Sequence, residues 1–260
     1  MAEVAETLDA IAERTASALR DGGRLIYIGA GTSGLLAMQD GLELPGTFGL
    51  AAKRIRFVTP NGERFLIDSA SEDDAARAER DIDELALTTR DMVLAVSASG
   101  TTPFTLAGLR RAKARGAFTA AIVARAGSPM EATADVAAVF DIGAEAVEGS
   151  TRLAAGTAQK AALNIVSTLA CAKLGLVHDG LMIAVRPENA KLRERARSII
   201  ARVARVGESA AARALDDAAG DVSAAIIVAA GGLDTGSAQR LLFECGGNVA
   251  KVLARLDARD

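Results

Sequence analysis

The chain has 260 residues, with 30 Lys and Arg against 33 Asp and Glu and a formal net charge of −3, so the basic footprint of a nucleic-acid-binding protein is missing. Half of the residues are apolar and only 3% are aromatic, a balance that supplies a large core and favours closely packed Ala-rich helices over a β-sandwich. The first residues, Met-Ala-Glu-Val-Ala-Glu, carry no apolar signal core, and no long uncharged apolar stretch reads as a membrane span. Cys171 and Cys245 both fall in apolar helical contexts. They read as buried thiols of a reducing compartment, which points to the cytoplasm.

In chain order, Val4, Leu8, Ile11, Thr15 and Leu19 recur at helical spacing, and Gly22-Gly23 ends that helix. Leu25 to Gly29 reads as a buried strand, Gly31 to Gly34 as a tight turn, and Leu35 onward as a helix to about Leu42, broken by Pro45-Gly46. Ile55 to Thr59 is a second strand. Ser69 to Glu72 has the pattern of a capping box opening a helix that runs to about Leu87. Met92 to Val96 is an almost wholly apolar third strand, of the kind buried on both faces of a parallel sheet. Ser97 to Pro103 turns into a helix ending near Arg115. Ala117 to Val123 and Val136 to Ile142 are strands four and five, with a short helical segment from Ser128 between them.

Strands thus alternate with helices five times, which predicts an α/β fold: a three-layer αβα sandwich around a mainly parallel five-stranded sheet. After Ile142 the pattern becomes helical. Gly156 to Leu176 is one long apolar helix and Asn189 to Ala204 a charged one. Residues 208–219, 222–230 and 236–256 read as three short helices punctuated by Gly220, Gly231-Gly232 and Gly246-Gly247. The expected division is residues 1–204 as the α/β domain and 205–260 as a small C-terminal helical subdomain.

Two turns carry the chemistry. Gly31-Thr32-Ser33-Gly34 follows the first strand, and Ser97-Ala98-Ser99-Gly100-Thr101-Thr102 follows the third. Each joins an apolar strand to a helix, where backbone N–H groups and the helix dipole favour an anion. Two such turns at strand ends in an open α/β sheet are placed to face one ligand. The hydroxyls of Thr32, Ser33, Ser97, Ser99 and Thr102 suit a sugar phosphate, since they donate to phosphate and exchange hydrogen bonds with sugar hydroxyls. The first turn also spells Gly29-x-Gly31-x-x-Gly34, a dinucleotide fingerprint. The acidic residue that reading needs about 20 residues on is replaced by Lys53, Arg54 and Arg56, and the second turn would have no role. His178 is the single histidine, so neither a metal cluster nor a Ser-His-Asp set is built around it. It reads as a surface or loop residue.

Ser-x-Ser-Gly-x-Thr after a strand is typical of sugar isomerase (SIS) domains. The resemblance sharpens to the N-acetylmuramic acid 6-phosphate etherases through Gly23 to Gly34, Glu43-Leu44-Pro45-Gly46-Thr47-Phe48-Gly49, Ser71-Glu72-Asp73-Asp74 and Ser99 to Phe104. It continues through Gly149 to Lys160, Leu181 to Val185 and Asn189 to Leu192. Members of that family usually have a longer N-terminal arm. They carry basic residues where this chain has Leu35, Thr101 and Ala154.

The resemblance implies a lyase of cell-wall recycling and amino sugar catabolism. The ring-opened phosphosugar has an aldehyde at C1, so its C2 proton is weakly acidic. A base removes that proton, D-lactate leaves from C3, and water adds to the unsaturated aldehyde. The resemblance makes Glu43 the principal acid/base and Glu72 its assistant, with no metal or organic cofactor. Glu43, expected just beyond the first helix beside Leu44-Pro45, reads as set in apolar surroundings that raise its pKa, and both glutamates as lying on the same edge of the sheet. Arg152, beside Gly149-Ser150-Thr151, contacts the ligand or fixes its loop; Lys160 is a solvated helix residue on the bland reading. A homodimer is expected, with the apolar helix from Gly156 buried against the sheet or a partner. Two other readings stay open: a SIS-type phosphosugar isomerase with a changed substrate, and a non-catalytic phosphosugar sensor similar to the glucokinase regulatory proteins. Retention of both glutamates favours an enzyme; the neutral positions favour an altered ligand.

Overall fold

The computed structural model describes residues 4–60, 62 and 69–258, which divide into two compact units, residues 1–43 with 51–170 and residues 44–50 with 171–260. In the first unit, β1 (Leu25–Gly29), β2 (Ile55–Val58), β3 (Met92–Ser97), β4 (Phe118–Val123) and β5 (Val136–Val139) form one parallel sheet in the order β2-β1-β3-β4-β5. Every residue of β1 and β3 is buried, as uninterrupted apolar strands require when helices cover both faces. Ile26, Ile28, Val93, Ala95, Ala121 and Val123 pack with α3 (Ala75–Glu84), α4 (Pro103–Ala114) and Met130 of α5 (Pro129–Thr133). Alternate strand residues point to the other face. There α1 (Ala5–Arg20) packs on β1, β3 and β5. On that face Tyr27 also meets Asp40 of α2 (Gly31–Phe48), which in turn meets Ser167 of α6 (Ala154–Lys173). The three expected layers are present.

The sheet is pinned at the amino ends of β1 and β3. Asp91, 2% exposed, accepts hydrogen bonds from Arg24 N, Nε and Nη2 and from Thr88 N and Oγ1, at 2.8 to 3.2 Å. Burial pushes its carboxyl up, but these donors and the Arg24 charge outweigh burial and hold it below the usual aspartate range.

Several elements differ from expectation. The Gly31–Gly34 segment is not a separate turn: it is the first turn of α2, with Gly34 N bonded to Ala30 O at 3.0 Å. At its other end α2 runs through Pro45 to Phe48. A proline removes one backbone bond, and here the loss falls in the last turn, between the buried Leu44 and Phe48. Residues 69–73 form a 3-10 helix, and α3 starts only at Ala75, capped by Asp74, whose side chain accepts from Arg77 N at 2.9 Å. The Ser69 side chain of the expected capping box lies outside the described groups. β5 stops at Val139 because the chain turns away after Phe140 N bonds Val123 O, with Gly143 at φ +71°.

The second unit holds the hairpin β6 (Val177–His178) and β7 (Leu181–Met182), then α7 (Ala190–Ala204), α8 (Glu208–Asp217), α9 (Val222–Gly231), α10 (Thr235–Glu244) and α11 (Val249–Asp257). Ile226 and Ile227 of α9 are fully buried in a core shared with Ala196, Ile199 and Ile200 of α7. That packing places α7 with the C-terminal helices, so the division falls at Ala170/Cys171 instead of the expected 204/205. The expected helix 236–256 is two helices, since Asn248 caps α11 by accepting from Lys251 N at 3.1 Å. His178 is half-buried in β6, 3.8 Å from Asp179, and not in a loop.

Candidate functional site

β1 and β3 are neighbours with Gly29 opposite Val96, so the segments that follow them start side by side. This is also where the strand order reverses, with β2 on one side of β1 and β3 on the other. Such a switch point opens a crevice at the carboxyl ends of the strands. Thr32 and Ser33 lie in the first turn of α2; Ser97, Ser99 and Thr102 lie between β3 and α4.

In the second turn, Ser97 Oγ accepts from Gly100 N at 3.1 Å and lies 3.0 Å from Thr102 Oγ1. Ser99 Oγ accepts from Thr101 N at 3.2 Å and from Thr101 Oγ1 at 3.0 Å. Gly100, at φ +66°, runs so close to the N-cap of α5 that a Cβ there would stand 2.4 Å from Ser128 Oγ. Ser33, 8% exposed, donates to Oε1 of Gln159 on α6 at 2.9 Å. The start of α6 also lies beside the first turn of α2: a Cβ on Gly156 would be 3.9 Å from Thr32 Cγ2. Arg152 is exposed in the turn that leads into α6. Glu145 closes that helix end by accepting from Ala154 N and Ala155 N at 2.8 and 3.0 Å.

Glu72 comes to the first turn from the 3-10 helix. A Cβ on Gly31, itself at φ +53°, would be 2.6 Å from Glu72 Oε1. A side chain at Gly31 would push that carboxylate away from the start of α2. Burial, and then the neighbouring Asp73 charge, push Glu72 above the ordinary glutamate range. A carboxyl with a raised pKa is suited to taking and returning a proton.

Glu43 stands elsewhere. It lies inside α2, not beyond it, and is exposed, accepting from Gln39 Nε2 at 3.3 Å. The expected apolar enclosure is absent because the helix turns Leu44 inward and Glu43 outward. Ten residues separate it from Ser33, about 15 Å along the helix axis. α2 leads from the carboxyl end of β1 back toward the start of the parallel β2, so the two glutamates are not on one edge of the sheet.

Sequence reading missed two residues. Gln159 meets Ser33, and Asp40, 3% exposed, accepts from Tyr27 Oη at 2.7 Å and Ser167 Oγ at 2.9 Å. Burial pushes Asp40 upward against those two bonds, with the Lys160 and Glu43 charges acting in opposite directions. Lys160 is half-buried and donates to Asn164 Oδ1 at 2.9 Å. The signal for Asp40 was its place between the buried Ala37 and Leu44, on the inward stripe of α2. Among the described residues no group of three or more His, Cys, Asp or Glu is placed to hold a metal ion.

Residues 1–124 match the SIS domain family, and with the parallel sheet and the paired turns they define the class: a SIS-type α/β protein. Several solved structures are similar in fold. A phosphoheptose isomerase from Neisseria gonorrhoeae aligns with 67% of this chain and 88% of its own, at 16% identity and TM-score 0.49. Relatives in sequence extend much further. Proteins named N-acetylmuramic acid 6-phosphate etherase from Halalkalibacterium halodurans and Burkholderia lata are 39% and 41% identical, each over 98% of this chain and 87% and 85% of their own lengths. One from Rubrobacter xylanophilus is 40% identical over 92% of this chain and 79% of its length. The chain belongs to the N-acetylmuramic acid 6-phosphate etherase family.

Proposed function

We propose that the protein is a carbon–oxygen lyase that converts N-acetylmuramic acid 6-phosphate and water to N-acetylglucosamine 6-phosphate and D-lactate, as part of amino sugar catabolism in cell-wall recycling. The observation that carries this reading is Glu72, whose carboxylate lies against Gly31 at the hydroxyl-bearing start of α2 and is raised above the ordinary glutamate range by burial. Carboxylate chemistry at C2 and C3 needs such a group beside a phosphosugar. The C2 proton goes to a base, and the C3–O bond breaks with its electron pair leaving on the lactate oxygen. The departing lactate oxygen takes up a proton; water then gives C3 its hydroxyl, its other proton replacing the one that lactate took, while the abstracted proton returns to C2. Ser97, Ser99 and Thr102 hold the phosphate; Thr32 and Ser33 face the sugar; Arg152 meets the ligand from the turn before α6.

Glu43 is the second proton-transfer group in this reading. At about 15 Å from Ser33 along its helix, it cannot share one sugar ring with Glu72 of the same chain. A two-fold dimer solves this by bringing Glu43 of a second copy to each site. The buried Cys171 and half-buried Cys245 fit a reducing cytoplasm, and no helix of the described residues is long and apolar enough to cross a membrane. The test is release of D-lactate from N-acetylmuramic acid 6-phosphate, with solvent hydrogen entering C2 and solvent oxygen entering C3. No lactate from the intact protein rejects the reading.

A further inference from the structure

The hydroxyls of the two turns differ in what they have left to offer. A serine hydroxyl has one proton to give and two lone pairs. Ser99 Oγ accepts twice, from Thr101 N and Thr101 Oγ1, and the only acceptor described for its own proton is Ser97 Oγ at a long 3.5 Å, so that proton turns readily to a stronger acceptor such as a phosphate oxygen. Ser33 is the reverse. Its proton is committed to Gln159 Oε1 at 2.9 Å, inside a pair of which Gln159 is 1% exposed and Ser33 8%. What Ser33 presents is a lone pair. A phosphate dianion has only lone pairs to set against it, whereas a sugar hydroxyl has a proton to give. The same amide holds a second clue. Gln159 Nε2 is buried and has no hydrogen-bond partner among the described residues. Buried as it is, the amide reaches a ligand only through Ser33. The lone pair that Ser33 presents complements the proton of a sugar hydroxyl.

We propose that Gln159 is a positioning residue that sets the polarity of Ser33, making the first turn a reader of a sugar hydroxyl while the phosphate belongs to the second turn. This rests on the functional reading above. The α6 backbone holds Gln159 rigidly, and the Ser33 side chain lies in the first turn of α2, so the pair keeps its orientation before ligand arrives. Specificity then comes from the unpaired partner a wrong ligand would leave behind.

The experiment is a set of titrations with two probes, N-acetylglucosamine 6-phosphate and inorganic phosphate, followed by nuclear magnetic resonance on the full chain. Gln159→Met keeps the bulk and removes the amide. It should raise the Kd for the phosphosugar about tenfold, as losing one hydrogen-bonded partner does, and leave inorganic phosphate within about twofold. Ser33→Ala should do the same, and serves alone if Gln159→Met does not fold. Ser99→Ala should weaken both probes. Because Gln159 acts through Ser33, the double variant should bind no worse than either single one. Additive losses, equal weakening of both probes by Gln159→Met, or a lowered melting temperature with both affinities unchanged would overturn the proposal while leaving the etherase reading intact. An intact protein that binds no phosphosugar at all overturns both.

Discussion

At the scale of single residues, the proposed chemistry depends on Glu72 having both a place and a proton affinity. Its place is set by Gly31. In Gly31→Ala the new methyl would meet Glu72 Oε1 at 2.6 Å on a backbone at φ +53°, a conformation costing an L-residue about 1–2 kcal/mol. The carboxylate must retreat. Turnover should fall at least tenfold, since an ångström of misplacement is costly in catalysis, while the protein stays folded by circular dichroism. Glu72→Gln keeps shape and hydrogen bonding but cannot cycle a proton. It should retain phosphosugar affinity and lose about 10² to 10⁴ in kcat. Since burial and Asp73 raise the Glu72 pKa, a Glu72 that acts as base makes kcat/KM fall as pH drops through that raised value. The acid limb should be missing from the residual activity of Glu72→Gln. A limb that persists unchanged would assign it to another group.

At the scale of elements, the strands were legible because Leu25 to Gly29 and Met92 to Val96 are apolar without interruption, and only a doubly covered parallel sheet buries such runs. Helix ends were less legible. Pro45 is a local stop signal, yet burial of Leu44 and Phe48 carries α2 past it; Asp74 caps α3 where Ser69 was the expected start, since nothing local ranks one capping residue over another. The long-range pins were invisible for a different reason: Arg24 and Asp91 are 67 residues apart. Asp91→Ala would leave Arg24 and Thr88 without their acceptor and should cost about 3–5 kcal/mol in urea unfolding at neutral pH. Asp91 titrates below the usual range, so its contribution is present above the unfolded pKa and is lost as pH falls through the folded one. Asp40 has the opposite sign. Its folded pKa lies above 3.8, so the native state holds more protons than the unfolded chain in that window, and stability falls as pH rises through it. Asp40→Asn removes the titrating group while still bonding a hydroxyl on each side. Stability relative to the parent protein should therefore improve as pH rises across the window, measured by urea unfolding in steps of about one pH unit. A constant difference would show that Asp40 does not titrate there.

At the scale of the whole molecule, two Gly- and Ser-rich segments after apolar strands were legible, and the structure starts them side by side where the strand order reverses, while the separation of the glutamates was not legible. Glu43 and Glu72 are 29 residues apart in sequence, and only the continuation of α2 past residue 42 shows that Glu43 is carried to the far end of that helix. In the proposed reading, a sugar held between the two turns touches Glu72 of its own chain and finds Glu43 in a second copy. Glu43→Gln and Glu72→Gln should each be nearly inactive as pure proteins. Co-expressed in equal amounts, they form mixed dimers in about half of the assemblies. In a mixed dimer one site pairs the intact Glu72 of the first chain with the intact Glu43 of the second, and the other site has lost both. About a quarter of the parental lactate-releasing activity should therefore return. If both groups served one ligand from a single chain, every site in the mixture would still lack one of them and activity would stay at the sum of the separate variants. Light scattering at micromolar concentration supplies the companion measurement: a monomeric mass for the active protein would remove the second Glu43 altogether, and the search for the C2 base would return to the groups around Gly31.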